Sequence, residues 1–182
     1  MSTATGTAAT RSLRSLIGHI IAKHHVYLRQ ELPRQEEIIG KMTANHGNER
    51  PVLFSIQQLL QDLRDDISAH LLKEEQILFP YVEGLEAAET EGGEMPHACF
   101  PTVRGPIRVM FMEHDQAQSI LKELRAATGN YTPPKDSTCD CAKKFYQGLA
   151  DLESDLLEHI RVENEELFPR AIELEERTAA WQ

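Results

Sequence analysis

A repeat within the chain constrains its fold more than any other feature of the sequence. Residues 70–80 (HLLKEEQILFP) resemble residues 159–169 (HIRVENEELFP) at an offset of 89 residues. The same offset carries His25 onto His114. Each copy therefore has one His in its first part and an Asp-x3-His-x3-Glu row in its second part. The sequence predicts two copies of one structural unit.

Each unit has the hydrophobic pattern of two amphipathic helices. Apolar residues recur at steps of three and four, and no segment sustains the period of two that is typical of strands. We expect Pro33 to kink or interrupt the first helix, and residues 45–51 and 84–105 to be connections. The helices are predicted over about residues 12–39, 53–85, 106–129 and 137–177.

Four such helices predict an all-α fold, an antiparallel four-helix bundle built from two helix pairs. The bundle is expected to occupy residues 12–177 as one domain. Residues 1–11 are small and polar, and we expect them to be a disordered tail.

Composition excludes several classes of function. The chain has 182 residues and a net charge of −10, which argues against nucleic-acid binding because Lys and Arg supply most of that affinity. No stretch approaches the roughly 20 apolar residues that span a bilayer, and the N-terminus does not resemble a signal peptide. Three Cys do not suggest a disulfide-stapled secreted fold. We expect a cytoplasmic protein with no membrane partner.

Polar residues interrupt the apolar faces of the second and fourth predicted helices at His70, Glu74, His159 and Glu163. Residues four apart lie one turn apart on one face. Burying a carboxylate is costly unless a cation or dense hydrogen bonding compensates. We therefore expect two metal ions bridged by Glu74 and Glu163. Mixed imidazole and carboxylate ligation suits iron, and also manganese or zinc.

Two further His complete the expected ligand set. The repeat selects His25 over the neighbouring His24, which also lies near the apolar face, and pairs it with His114. For His114 the alternative is a core His with ordinary hydrogen bonds. Each metal would bind two His and share both Glu, which leaves coordination open for a small ligand.

Three carboxylates are candidates for a supporting role. Asp66 and Asp155 lie one turn before His70 and His159, where each could accept the second ring N–H of a ligating His. Glu113 could line an access path or relay protons. The alternative for all three is an ordinary acidic residue on the surface of a helix.

These residues give the sequence its resemblance to the hemerythrin-like (HHE cation-binding) di-iron family, in particular to the C-terminal domain of the bacterial repair-of-iron-centres proteins. The resemblance covers about residues 13–172 and is carried by segments 20–33, 68–80, 105–115 and 159–170. It implies two iron ions with oxo and carboxylate bridges. The implied ligands are His25, His70, Glu74, His114, His159 and Glu163.

In that family interior carboxylates line a channel to the centre. Glu113 matches one of them, whereas Asp66 stands where a Glu is expected. The repair proteins carry a short N-terminal domain with paired Cys, and the 182 residues contain no counterpart of it.

The resemblance also implies a function in nitrosative or oxidative stress. The chain would repair damaged iron–sulfur clusters by donating iron, and would bind or reduce nitric oxide at the di-iron centre. Its partners would be a diatomic ligand, nitric oxide or dioxygen, and iron–sulfur proteins. One alternative is a hemerythrin-like protein that binds dioxygen or nitric oxide reversibly, for storage or sensing, without catalysis. Another is a metal store or structural bundle that holds zinc or no metal.

Overall fold

The computed structural model describes residues 11–135 and 140–180, and these residues form four long helices without a strand. This confirms the predicted all-helical bundle. The helices α1 (13–46), α2 (52–91) and α4 (140–179) each contain a short π-helical segment, whereas α3 is α-helical throughout. In chain order the segments are Leu13–Ile20, Ile21–His25 and Val26–His46 in α1, Val52–Lys73, Glu74–Leu78 and Phe79–Glu91 in α2, Arg104–Ala127 as α3, and Asp140–Val162, Glu163–Leu167 and Phe168–Ala179 in α4.

The four helices are antiparallel neighbours around two apolar clusters. α1 packs against α2 and α4, and α2 packs against α3. One cluster joins the C-terminal parts of α1 and α3 to the N-terminal parts of α2 and α4, with Phe145 and Leu60 fully buried. The other joins the opposite ends of the same helices, around Phe79 and Phe168. Between the two clusters lies a buried polar layer.

Two helices continue beyond their predicted ends. α1 reaches His46 rather than residue 39, because Ile39 and Thr43 are still buried against the bundle, and the connection covers residues 47–51 of the predicted 45–51. α2 reaches Glu91 rather than Leu85. Glu86 in this extension accepts hydrogen bonds from the first backbone N–H groups of α1, which explains the acidic residue there.

The sequence predicted that Pro33 would kink or interrupt the first helix, and α1 continues through Pro33 without an interruption. Its ring removes one backbone hydrogen bond of the helix. Both Pro33 and Arg29, whose carbonyl loses its donor, are exposed, so water can take the place of the missing N–H.

Some predictions concern residues that the structure does not describe. The tail predicted over residues 1–11 falls almost wholly outside the described residues, as do the predicted start of the fourth helix at Ser137 and Cys139. Cys99 is free and exposed, and Cys141 forms a disulfide. Within the described ranges, every helix is too short or too polar to cross a membrane.

Candidate metal centre

The polar layer of the bundle contains all six residues that the repeat singles out. Their side chains converge from all four helices, and each residue is at most 1% exposed. They are His25 of α1, His70 and Glu74 of α2, His114 of α3, and His159 and Glu163 of α4.

Local backbone geometry helps to place these side chains. The π-helical segments include His25, Glu74 and Glu163, each at one end of its segment. A π-helical turn holds one more residue than an α-helical turn, and such turns are frequent at functional sites. In α2 and α4 the segment is followed directly by Phe-Pro, and the proline cannot donate a backbone hydrogen bond. The sequence pattern does not predict these π-helical turns.

The six side chains form two groups that could each hold a metal ion. One group combines His25 and His159 with both glutamates, and the other combines His70 and His114 with the same two glutamates. Within each group the potential ligand atoms lie within 4.8 Å of one another. Each group takes one His from each repeat, and Glu74 and Glu163 belong to both.

Distances within the layer place the glutamates between the two groups. Oε1 of Glu163 lies 2.8 Å from Nε2 of His159, and Oε2 lies 3.1 Å from Nε2 of His114. Oε2 of Glu74 lies 3.4 Å from Nε2 of both His25 and His70. The two oxygens of Glu163 thus face different groups, which is the arrangement of a bridging carboxylate.

Outer hydrogen bonds orient three of the four imidazoles. Nδ1 of His25 lies 2.7 Å from a Glu75 oxygen, and Nδ1 of His70 lies 3.0 Å from a Glu113 oxygen. A carboxylate accepts a hydrogen bond, so the proton is assigned to Nδ1 and the lone pair to Nε2, which faces the centre.

The third imidazole follows the same rule, because Nδ1 of His114 lies 2.8 Å from Oδ1 of Asn164. Nε2 of His114 and Nε2 of His70 then lie 3.2 Å apart, each with a lone pair directed inward. Two such atoms repel each other unless a proton or a cation lies between them.

Unsatisfied polar atoms show that this layer fits metal ions. Among the described residues, both carboxylate oxygens of Glu74 and Oε2 of Glu163 are buried without a hydrogen-bond partner. Buried polar groups are normally satisfied, and a buried carboxylate without a partner is strongly unfavourable. Imidazole nitrogens and carboxylate oxygens are ligands for iron, manganese and zinc. The donor set therefore fits a pair of such ions.

The ionisation equilibria of the layer are shifted by burial. Burial lowers the pKa of His25 to about 4, and it lowers the pKa of His70 to about 4 as well. Burial, and then the charge of Glu163, raise the pKa of Glu74 well above its ordinary value. Burial opposes ionisation of Glu163 too, but the imidazoles of His159 and His114 hold its pKa below the ordinary value. Neutral imidazoles favour metal binding, because a protonated ring cannot bind a metal.

The supporting residues differ from those expected. The partner of Nδ1 of His70 is Glu113 of α3, so the role predicted for Asp66 falls to a neighbouring helix, and Asp66 is exposed. Glu113 also pairs with Lys73. Asp155 binds an imidazole, as expected of it, but the ring is that of His24 and not of His159.

Sequence reasoning missed His24 as a buried residue. His25, which the repeat selects, lies in one of the two groups, and His24 beside it in the π-helical segment is also 0% exposed. Glu75 and Asn164 were missed as ring partners, although they occupy equivalent positions immediately after Glu74 and Glu163.

The fold and this layer define an all-helical, cation-binding four-helix bundle. The family described as the Hemerythrin HHE cation binding domain matches residues 16–171, and the chain belongs to this family. The chain is also similar to proteins named "Iron-sulfur cluster repair protein YtfE" from Escherichia coli O1:K1, Escherichia coli strain SMS-3-5 and Escherichia fergusonii. Each is 35% identical over 160 residues, which cover 88% of this chain and 66% of the relative. The chain therefore spans about two thirds of the length of these relatives.

Proposed function

We propose that the chain is a di-iron protein that repairs damaged iron–sulfur clusters by donating iron. We further propose that its centre would bind nitric oxide and, with both ions ferrous, would reduce two molecules of it to nitrous oxide and water, with one electron from each ion and two protons from solvent. The observation that carries the proposal is the pair of four-residue groups that share Glu74 and Glu163. A single bound ion would leave two of the four inward-facing imidazoles without a partner.

The charge of the layer supports two cations. Two carboxylates and four imidazoles fill a space between two apolar clusters, where water cannot compensate a charge. The two metal ions would be held by His25, His70, Glu74, His114, His159 and Glu163, with both glutamates as bridges. Such a pair would supply redox chemistry and open coordination positions for a diatomic ligand.

The names of the relatives support the choice of repair over storage. Similar proteins are named for iron–sulfur cluster repair, and the similarity extends over nearly the whole of this chain. Iron would then be the cargo as well as the cofactor, which requires that at least one ion can leave. The proposed partners are iron–sulfur proteins and nitric oxide, and the proposed location is the cytoplasm.

Access to the layer also supports a small ligand. A cavity of about 440 Å³ opens between α2 and α3 and is lined by His70 together with Glu113 and Lys73. This is the size range of small-molecule sites. His70 is the one member of the six-residue layer that lines it.

The test measures both proposed activities on one preparation. The chain is loaded with ferrous iron without oxygen, desalted, and mixed with an iron–sulfur hydratase that nitric oxide has damaged. We expect hydratase activity to return with the loaded chain, and not with the metal-free chain or with the same amount of free iron held by a chelator. Nitric oxide consumption is followed with an electrode in parallel.

A matched pair of variants makes the result specific. Glu163→Gln removes a proposed bridging carboxylate, whereas Glu165→Gln changes an exposed residue that pairs with Arg161. Repair should be lost in the first variant and unchanged in the second. A loaded chain that forms a stable nitric oxide adduct without turnover and repairs nothing would favour the reversible-binding alternative. A chain that holds zinc in place of iron would contradict the proposal.

A further inference from the structure

The side of the centre that faces α2 and α3 is open. His70 contributes one wall of the cavity between these helices, and Glu113 and Lys73 contribute polar groups beside it. Met112, at 66% exposure, is the most exposed apolar residue of this lining. A small molecule in the cavity would lie against the ring of a candidate ligand.

The repeat identifies the equivalent place on the other side, between α1 and α4. The offset of 89 residues carries His70 onto His159 and places His24 at the position equivalent to Glu113. It also places Val162 at the position equivalent to Lys73. An approximate two-fold relation would therefore predict a second cavity beside His159.

His24 fills this place instead. Its ring stacks on the ring of His159, with centroids 5.5 Å apart and planes 14° from parallel. His24 and His159 are both 0% exposed, and Val162 is buried as well. On the side between α1 and α4 a flat ring covers the candidate ligand, whereas the side between α2 and α3 has a carboxylate and a cavity.

One hydrogen bond holds His24 in place, but burial of this ring also has an energetic cost. Nδ1 of His24 lies 3.0 Å from Oδ1 of Asp155. Nε2 of His24 and Nδ1 of His159 are both buried without a hydrogen-bond partner among the described residues. Unsatisfied buried nitrogens are unfavourable, so hydrogen bonding does not explain why His24 packs against His159. Shape and stacking explain it better, because the ring excludes water from this side of the layer.

We infer that His24 closes the metal centre on its α1–α4 side, so that external ligands reach the centre only through the cavity between α2 and α3. His24 is a positioning residue: it holds His159 by stacking and makes the two metal positions unequal towards solvent. This inference rests on the proposed metal centre, but it adds which side of the centre admits a ligand and which residue blocks the other side.

The experiment measures how fast azide, a small anionic probe, combines with the iron-loaded full chain. The azide adduct is followed by its visible absorption after rapid mixing, and iron per chain is measured for every variant. Met112→Trp places a large ring at the mouth of the cavity, and Ala69→Trp, on the same lining, is a second blocking variant. Val52→Trp is the control, because Val52 is exposed on α2 roughly 20 Å from Asp66 along the helix.

Blocking the open side should slow azide at least tenfold, and the control should leave the rate unchanged. Adding His24→Ala to Met112→Trp should restore at least half of the original rate, because the second side is then open. Adding His24→Phe should restore nothing, because a ring still covers His159. A normal azide rate in both blocking variants would overturn the inference even if the His24 variants do not fold.

The outcomes separate this inference from the proposed function. A chain that binds no iron overturns the proposed function and the inference with it. An iron-loaded chain in which His24→Ala gives no new access to a blocked centre overturns the inference alone.

Discussion

The two repeats of the chain agree at the centre of the bundle and differ at its periphery. In both repeats the Nε2 atoms and carboxylates converge on one buried layer. The outer partners of the rings differ: His25 has the carboxylate of Glu75, whereas its equivalent His114 has the amide of Asn164. His70 has Glu113 beside an open cavity, whereas His159 has the stacked ring of His24.

This difference shows which part of the repeat a bound metal would constrain. The inward-facing donors cannot change without leaving a buried charge uncompensated. The outer partners only orient the rings and tune their basicity, so the two repeats can use them for different purposes. The side between α2 and α3 provides access to the layer, and the side between α1 and α4 is closed.

The largest expected effect tests the part that is common to both repeats. Glu74→Ala and Glu163→Ala should each lose most of the bound iron, because the remaining imidazoles would have to hold two cations with one carboxylate. Iron per chain is measured after loading and desalting, with Glu165→Ala as the exposed control. Iron content near two per chain in either variant would contradict the bridging role.

The pH dependence of the metal-free chain should also receive equal contributions from the two four-residue groups, one of which contains His25 and the other His70. The folded-state pKa of both His25 and His70 is about 4, so the unfolded chain takes up these protons first as the pH falls from about 6.5. Each His should therefore lower the free energy of unfolding as the pH falls from 6.5 to 4. The loss has a slope of up to about 1.4 kcal/mol per pH unit, or about 3 kcal/mol in all.

Denaturant unfolding at several pH values measures this contribution. His25→Gln and His70→Gln should each reduce the pH dependence of the free energy of unfolding by a similar amount relative to the unchanged metal-free chain. If only one variant reduces it, the two halves of the layer are not equivalent in the absence of metal.

The next effect should distinguish the two repeats. His24→Ala in the metal-free chain should lower the free energy of unfolding by about 2 kcal/mol, because it removes a fully buried ring and leaves a cavity. Glu113→Ala should cost less than about 1 kcal/mol, because Glu113 and Lys73 are both partly exposed. Equal costs would show that His24 is not packed as the structure indicates.

The smallest effect concerns the charge beside a ring. Glu75→Gln keeps an acceptor for Nδ1 of His25 but removes its charge, and should weaken iron binding by about tenfold. Asn164→Asp adds a charge beside His114 and should strengthen binding. Iron affinity is measured by competition with a chelator. A change of the same sign in both variants would show that charge at these positions does not act through the rings.

Much of this molecule could be predicted from the sequence, because the repeat preserves the His and Glu residues of the buried polar layer. The four helices and the positions of Glu74 and Glu163 follow from residues that recur every three or four positions. The length of α1 and α2 did not follow, since Glu86 accepts hydrogen bonds from the distant start of α1 and Thr43 is buried although it lies beyond the predicted end of its helix.

The burial of His24 could not be predicted for a different reason. An α-helix turns by 100° per residue, so a pattern that places His25 inward directs its neighbour partly away. The π-helical segment changes that rotation, and no residue spacing in the sequence predicts such a segment. Glu113 and His70 lie 43 residues apart in the sequence and on different helices. Helical periodicity alone does not specify a contact between them.

The most direct test of the central claim is a crystal structure of the iron-loaded chain with data collected at the iron absorption edge. The account predicts two anomalous peaks in the polar layer, one beside His25 and His159 and one beside His70 and His114, with Glu74 and Glu163 between them. A single peak, or peaks outside this layer, would contradict it.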